Sequence, residues 1–298
     1  MTDPVIRTER LAKRYGAEFA LKDLTLEVQA GEVLGYLGPN GAGKTTTIRL
    51  LLGLINPTGG SATVFGLDPW RQASTVHRSL AYVPGEANLW PSLTGRETLA
   101  LLGRVHGRFD PNYRDRLIER FDFDPSKTVR SYSKGNRQKL SLIAALMTRA
   151  DLLILDEPTS GLDPLMEQTF RDCVQEGKRD GQTIFLSSHI LSEVEALSDR
   201  VAILRHGELL ELGTLAAMRH LSAFSVEMTF DGLPPGVREV PGVSAVTVDD
   251  RTVRCQVIGS IEPLLRVVAS AGVREFLSTR PSLEELFLSH YGDEEGVR

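Results

Sequence analysis

The stretch Gly38-Pro39-Asn40-Gly41-Ala42-Gly43-Lys44-Thr45-Thr46 gathers the groups needed to hold a polyphosphate. Its glycines let the backbone close around an oxyanion, and the N–H groups at the start of a following helix are unpaired and point at that anion. Lys44 adds a point charge suited to the β- and γ-phosphates of a nucleotide, and the Thr45 hydroxyl is a hard donor for Mg²⁺. The spacing fits G-x-x-x-x-G-K-[ST] without substitution. A glycine turn that merely caps a helix is the alternative; the Lys-Thr pair and an apolar strand directly upstream disfavour it.

A second concentration of chemistry is Asp151-Leu152-Leu153-Ile154-Leu155-Asp156-Glu157. The apolar run suits a strand buried on both faces of a parallel sheet, and it ends in two carboxylates at the C-terminal edge, where such sheets bind ligands. Neighbouring strand residues face opposite sides, so the two acids are expected to have different jobs. Asp156 is placed for the Mg²⁺ coordination sphere, through water, and Glu157 for orienting or deprotonating an attacking water. A surface turn with two acids is the alternative, and the apolar run argues against it. Residues 183–189 read as the next buried strand and present His189 at the same edge, as a donor for a γ-phosphate. The remaining histidines, His77, His106, His206, His220 and His290, have no such placement.

These groups need elements to position them. Residues 33–37 read as the buried strand before the loop and 46–52 as the helix after it, with two alternating strands at 5–8 and 24–28 forming an antiparallel sheet alongside. Tyr15, beside Gly16, either stacks on a base or is an ordinary turn tyrosine. A helical insert of about residues 86–146 separates two strands. Thr94-Gly95-Arg96-Glu97 opens its first helix with capping-box spacing, 111–121 forms a second and 139–147 a third. The polar loop 131–138 precedes that third helix with Ser133 as its cap; a glycine loop at a helix start is also an anion site, but from these residues alone the plain cap is favoured. Arg205-His206-Gly207 has hairpin chemistry. Near residue 221 the pattern changes to strands at 224–230, 245–248, 252–257 and 273–277, with helices at 261–271 and 282–291 and a turn or short helix at 234–243. That order suggests a small α+β domain over 222–298, following a first domain over 1–218. It carries no catalytic or metal constellation, and regulation, dimerisation or added stability fit it equally.

Composition restricts the partners. The chain has 298 residues, a net charge of −5, 41% hydrophobic and 24% charged residues, and nothing global that points to nucleic acid or an acidic membrane surface. Its two cysteines, Cys173 and Cys255, lie far apart without a metal-ligand pattern, as expected of a reducing compartment. The N-terminal residues lack the apolar core of a signal peptide, and no apolar run approaches the ~20 residues that span a bilayer. Any membrane part is therefore expected from another chain.

Together these residues resemble the ATP-binding subunit of ABC transporters over residues 3–218, with the motifs in that family's order. Residues 38–45 resemble its Walker A motif, Leu152–Asp156 its Walker B, Glu157 its catalytic glutamate, 160–163 its D-loop and His189 its switch histidine. Tyr15 resembles its adenine-stacking aromatic, and 131–138 its signature loop in place of the plain cap. The resemblance implies an α/β P-loop NTPase cassette, with a mixed-sheet core, an antiparallel β subdomain and a helical subdomain. It implies ATP and Mg²⁺ as cofactors and ATP hydrolysis by Glu157, His189 and Lys44. Tyr15, Gly38, Pro39, Asn40, Gly41, Ala42, Gly43, Lys44, Thr45 and Thr46 would surround the nucleotide, with Thr45 and Asp156 on the metal. Ser133, Gly135, Asn136 and Asp163 would face it from a second copy of the cassette in a head-to-tail homodimer.

The chain departs from the family's pattern twice. The signature usually reads Leu-Ser-Gly-Gly-Gln and here reads Tyr132-Ser133-Lys134-Gly135-Asn136. The glutamine expected after Tyr82-Val83-Pro84 is replaced by Gly85, and the following Glu86 is carried over as a substitute on the metal side. Both departures and the appended domain resemble the bacterial drug-resistance subfamily typified by daunorubicin exporters. The implied partner is a separate transmembrane permease, touched by the helical insert and residues 85–90, at the cytoplasmic face of the membrane. The implied function is to power export of a drug, antibiotic or lipid-like substrate, with no nucleic acid as partner. An importer subunit, or a non-transport ABC ATPase acting on ribosomes or DNA, is the alternative; the paired cassettes, basic linkers or zinc modules usual in the latter do not occur in this sequence.

Overall fold

The computed structural model describes residues 3–220, 224–269 and 271–279. The chain divides into two compact units, Met1–Leu212 and Gly213–Arg298. The first contains β1 (Ile6–Tyr15), β2 (Glu18–Val28), β3 (Val33–Leu37), α1 (Lys44–Leu51), β4 (Gly59–Val64), α2 (Ala73–Val76) and β5 (Leu80–Val83). The helices α3 (Gly95–His106), α4 (Pro111–Arg120) and α5 (Lys134–Leu146) follow, then β6 (Leu152–Asp156), α6 (Pro164–Arg179), β7 (Thr183–Ser188), α7 (Leu191–Leu197) and β8 (Arg200–Arg205). β9 (Glu208–Thr214) crosses the dividing point.

Two sheets organise this unit. One has the order β2-β1-β4 and is antiparallel; the other has the order β5-β6-β7-β3-β8-β9, with β5, β6, β7, β3 and β8 parallel. β8 turns into β9 through His206 and Gly207, whose φ values of 49° and 79° are the pair of positive angles that a two-residue hairpin turn of right-handed twist requires. The apolar runs of the six-stranded sheet are buried on both faces, as their sequence predicts. Leu152, Ile154 and Phe185 pack with Leu24, Leu26 and Ile48, on the side of the antiparallel sheet. Leu153, Leu155, Ile184 and Leu186 pack with Phe121, Leu140 and Phe170, on the side of the helices.

Helix boundaries follow the caps. Thr94 Oγ1 accepts from the Glu97 N–H at 3.2 Å and Glu97 Oε2 accepts from the Thr94 N–H at 2.8 Å, completing the expected box. The helix expected at 139–147 starts instead at Lys134. Ser133 Oγ accepts from the Asn136 N–H at 3.2 Å, so the first helical turn is made by Lys134-Gly135-Asn136, where the weak propensity of Gly135 and Asn136 hides the helix start from a pattern reading.

The second unit begins with α8 (Leu215–His220) and continues with β10 (Phe224–Phe230), β11 (Val243–Asp249), β12 (Thr252–Val257), α9 (Glu262–Val268) and β13 (Val273–Thr279). Its antiparallel sheet has the order β11-β12-β10-β13 over a core of Met228, Phe230, Val253, Val257 and Leu264. The short helix considered at 234–243 does not form, and the helix expected at 282–291 lies outside the described residues.

One buried polar pair joins the central strand to the helix after the phosphate loop. The Tyr36 hydroxyl lies 3.0 Å from Thr47 Oγ1, which itself donates to the Gly43 carbonyl at 3.1 Å. Thr47→Val strands a buried phenol and is expected to lower stability by about 1–3 kcal/mol, whereas Tyr36→Phe leaves Thr47 bonded to Gly43 and is expected to cost about 0.5–1.5 kcal/mol. Urea unfolding of the two variants checks the order; a larger loss for Tyr36→Phe would contradict this account of the pair.

Candidate active site

Strand register brings the chemistry to one edge. Leu37 of β3 pairs with Ser188 of β7, and Asp156 of β6 pairs with Ser187, so three parallel strands end side by side. The loop 38–43 leaves that edge and turns into α1 at Gly43, whose φ is 108° and whose missing Cβ would lie 2.5 Å from the Ala20 carbonyl oxygen. Only glycine fits there. Lys44 is 5% exposed; its Nζ donates to the carbonyls of Gly38 at 2.6 Å and Pro39 at 3.1 Å and sits 3.4 Å from Glu157 Oε1. The ammonium is thereby fixed against the loop that would surround a phosphate.

Asp156 is 4% exposed, and a carboxylate so buried must be satisfied. Thr45 Oγ1 donates to its Oδ2 at 3.0 Å and Ser187 Oγ to its Oδ1 at 2.6 Å. Burial, followed by the Asp156 charge, pushes the neighbouring Tyr82 phenol up to about 12. The Thr45 hydroxyl and the Asp156 carboxylate are hard oxygen donors of the kind Mg²⁺ takes, with the remaining positions left to water and phosphate. Among the described residues no cluster of three or more His, Cys, Asp or Glu would hold a metal, and Mg²⁺ shared with a nucleotide needs none.

Glu157 differs from its expected geometry. It does not continue the strand; its φ of 47° is left-handed, and that backbone turn, rather than strand alternation, separates it from Asp156. Its N–H donates to the Ser187 carbonyl at 3.1 Å. Its Oε1 lies 3.3 Å from His189 Nδ1 as well as 3.4 Å from Lys44 Nζ. A non-glycine residue held in this conformation is strain of the sort that collects at functional positions. Lys44, Thr45, Asp156, Glu157 and His189 are thus brought together. Ser187 was missed: a serine closing an apolar strand carries no motif, and only the pairing with Asp156 reveals it.

The other expected residues lie apart from this cluster. Tyr15 is half exposed, with Lys13 Nζ 5.2 Å from its ring centre. Glu86 is exposed; the neighbour that faces Asp156 is Gly85, where an added Cβ would lie 3.9 Å from the Asp156 carboxyl carbon. Asp163 caps α6 by accepting from the Met166 N–H at 3.0 Å. Ser133 caps α5, Asn136 Nδ2 donates to Ser133 Oγ at 3.3 Å, and Lys134 Nζ donates to Ser160 Oγ at 2.9 Å. Among the described residues no hydrogen bond joins the start of α5 to the loop 38–45 of the same chain.

Gly135 sits where a Cβ would lie 2.5 Å from the Gly161 carbonyl oxygen. Propensity alone makes Gly→Ala inside a helix favourable by about 0.5–1 kcal/mol, whereas overpacking against backbone costs about 1–3 kcal/mol. Gly135→Ala is therefore expected to destabilise. Chemical denaturation reads the sign directly, and a stabilised variant would show that α5 and the 160–161 turn do not need this close approach.

The sequence profile of the ABC transporter family matches residues 21–160. The chain is 35% identical to the daunorubicin resistance ATP-binding protein DrrA3 of Streptomyces coeruleorubidus over 314 aligned residues, covering 100% of this chain and 99% of that protein. A solved ATP-binding subunit of an ABC transporter superposes with a TM-score of 0.68 at 33% identity, over 72% of this chain and 92% of its own. The cassette MJ0796, solved as a dimer in a post-hydrolysis state with ADP and Pi, shares the fold with a TM-score of 0.64 at 21% identity, over 70% of this chain and 98% of its own. With a relative aligned from end to end and the motif residues assembled at one sheet edge, the chain belongs to the ABC transporter ATP-binding family and is an ATP hydrolase.

Proposed function

We propose that this ATPase powers export of a drug- or antibiotic-like compound through a separate membrane-spanning permease, on the cytoplasmic face of the membrane. The observation that carries this reading is that the likeness to a daunorubicin resistance protein runs through both compact units rather than stopping at the cassette. Among the described residues no helix is long and apolar enough to cross a membrane, which is in keeping with a permease on another chain. A groove of about 470 Å³ lies between the strand-β5 edge and the helical insert, lined in part by Leu54, Pro84, Leu89, Trp90 and Val105. Trp90, Leu54 and Val105 are exposed there, and such a surface suits a permease segment.

Each side chain then has a task. The loop 38–45 and Lys44 hold the phosphates of ATP, and Tyr15 offers a ring to the base. Thr45 and Asp156 hold Mg²⁺, which neutralises phosphate charge when bound; Ser187 fixes the Asp156 carboxylate. Glu157 orients and deprotonates the attacking water, and His189 steadies Glu157 and donates toward the γ-phosphate. Ser133, Gly135 and Asn136 of a second copy close over the nucleotide, with Asp163 holding the end of the turn between β6 and α6. Two copies close on ATP and release after hydrolysis, so the nucleotide acts as a removable adhesive between them.

Co-expression with the permease encoded beside this gene, purification on a tag carried by this chain, and ATPase measurement with candidate cargo test the reading. A stable complex with cargo-stimulated turnover is the expected result; turnover that responds instead to ribosomes or DNA would replace it with the non-transport alternative. Glu157→Gln should keep ATP binding and lower kcat by about 100-fold or more, the scale of a lost general base. Ser187→Ala should weaken Mg²⁺-dependent ATP binding by about 10-fold, the loss typical of removing a group that holds a metal ligand; calorimetric titration with and without Mg²⁺ measures it.

A further inference from the structure

We propose that Glu193 is a positioning residue of the hydrolytic site, a buried clamp that ties the segment carrying Glu157 to the segment carrying His189. This rests on the reading of those two residues as the hydrolytic pair. Glu193 lies on α7 and is 6% exposed, and its hydrogen bonds go to Thr159 and Ser188 rather than to the phosphate loop or Asp156. Both its oxygens are taken. Thr159 Oγ1 donates to Oε1 at 2.6 Å, and Ser188 Oγ donates to Oε2 at 2.6 Å. An acceptor-only carboxylate between two hydroxyl donors is the arrangement that makes burial of the acid tolerable.

The two hydroxyls belong to the segments that must hold still. Thr159 stands two residues past Glu157, inside a turn closed by Ser160 N–H to the Glu157 carbonyl at 3.2 Å and Leu162 N–H to the Thr159 carbonyl at 3.0 Å. That turn follows the left-handed φ of Glu157, which nothing in its own sequence would maintain. Ser188 immediately precedes His189; its Oγ accepts from the Ile190 N–H at 2.9 Å and its carbonyl accepts from the Gly38 N–H at 3.2 Å. Glu193 is itself anchored. α7 lies against β3 at Gly35, where an added Cβ would meet Val194 Cγ1 at 2.1 Å, so the helix sits directly on the strand that feeds the phosphate loop. Glu193 therefore transfers the position of β3 to the separation between Glu157 and His189.

The test compares full-length variants by kcat, by ATP affinity and by the fraction of protein that binds ATP. Glu193→Gln keeps the shape but offers one acceptor oxygen and a donor in place of the other, so one hydroxyl loses its acceptor. The expected result is a 10- to 100-fold fall in kcat with ATP affinity within about threefold of the parent, the scale of a misplacement of about 1 Å. Thr159→Val and Ser188→Ala each remove one arm without touching the acid and should lower kcat in the same way; they keep the test decisive if Glu193→Gln does not fold. Thr159→Val combined with Glu193→Gln should be little worse than Glu193→Gln alone, since both cut one connection. An unchanged kcat per ATP-binding site in these variants would overturn the proposal, as would kcat and affinity falling together with the folded fraction. Glu157→Gln, run beside them, separates the two readings: full hydrolysis in that variant removes Glu157 from the site, whereas its loss alongside normal Glu193→Gln turnover rejects only the clamp.

Discussion

A buried carboxylate at the end of β6 is the constraint around which this site is built. Asp156 has almost no solvent, so its charge must be met by the protein, and the two hydroxyls that meet it come from different elements: Thr45 opens α1 and Ser187 lies in β7. Satisfying one acid thereby locks the phosphate loop, β6 and β7 into one arrangement. The same economy extends along the end of β7. Ser187 grips Asp156, Ser188 grips Glu193 and His189 meets Glu157, so three consecutive residues hold three carboxylates. Parallel pairing sets their order, because Ser187 stands opposite Asp156 on one side and Ser188 opposite Leu37 on the other.

What the sequence displayed well was whatever depends on neighbours along the chain. The apolar runs at Leu152–Asp156 and Thr183–Ser188 announce strands with no polar face, and both faces are covered. The capping box at Thr94 and the glycine-rich turn before Lys44 are likewise local chemistry and stand where their spacing puts them. The hidden features are those in which a distant backbone decides. The conformation of Glu157 depends on the Ser187 carbonyl that accepts its N–H, a partner thirty residues away, and strand alternation gave the right separation of the two acids for the wrong reason. Ser187 and Glu193 look like ordinary polar residues in the chain; they acquire roles only once β6, β7 and α7 are adjacent.

The two departures from the family pattern have a physical reading in the fold. Gly85 places bare backbone against Asp156, so the position where the family pattern has a glutamine here adds no side chain to the metal side, and the adjacent Glu86 is exposed to solvent instead. At the start of α5, Lys134 stands where the family pattern has a glycine. Its ammonium is drawn to Ser160 of the same chain at 2.9 Å, while the glycine that is retained, Gly135, is the one whose Cβ the Gly161 carbonyl would exclude. The tolerance at 134 and the restriction at 135 follow from which of the two faces backbone.

The segment 157–163 is consequently held from two sides. α7 takes it through Glu193 and Thr159; α5 takes it through Lys134 and Ser160, through the contact of Gly135 with Gly161, and through Gln138, whose Nε2 donates to the Pro158 carbonyl at 2.9 Å. α5 belongs to the helical insert and α7 rests on the central strand, so a shift of one relative to the other must be absorbed in the few residues that carry Glu157. Such residues have little slack. Two are glycine or proline, two have a positive φ (Glu157 at 47° and Gly161 at 82°), and Asp163 is already committed to the start of α6. Close-packed segments of this kind move between discrete arrangements rather than bending by degrees. The short turn after β6 is thus tied at once to the helical insert, through Lys134 and Gln138, and to α7, through Glu193.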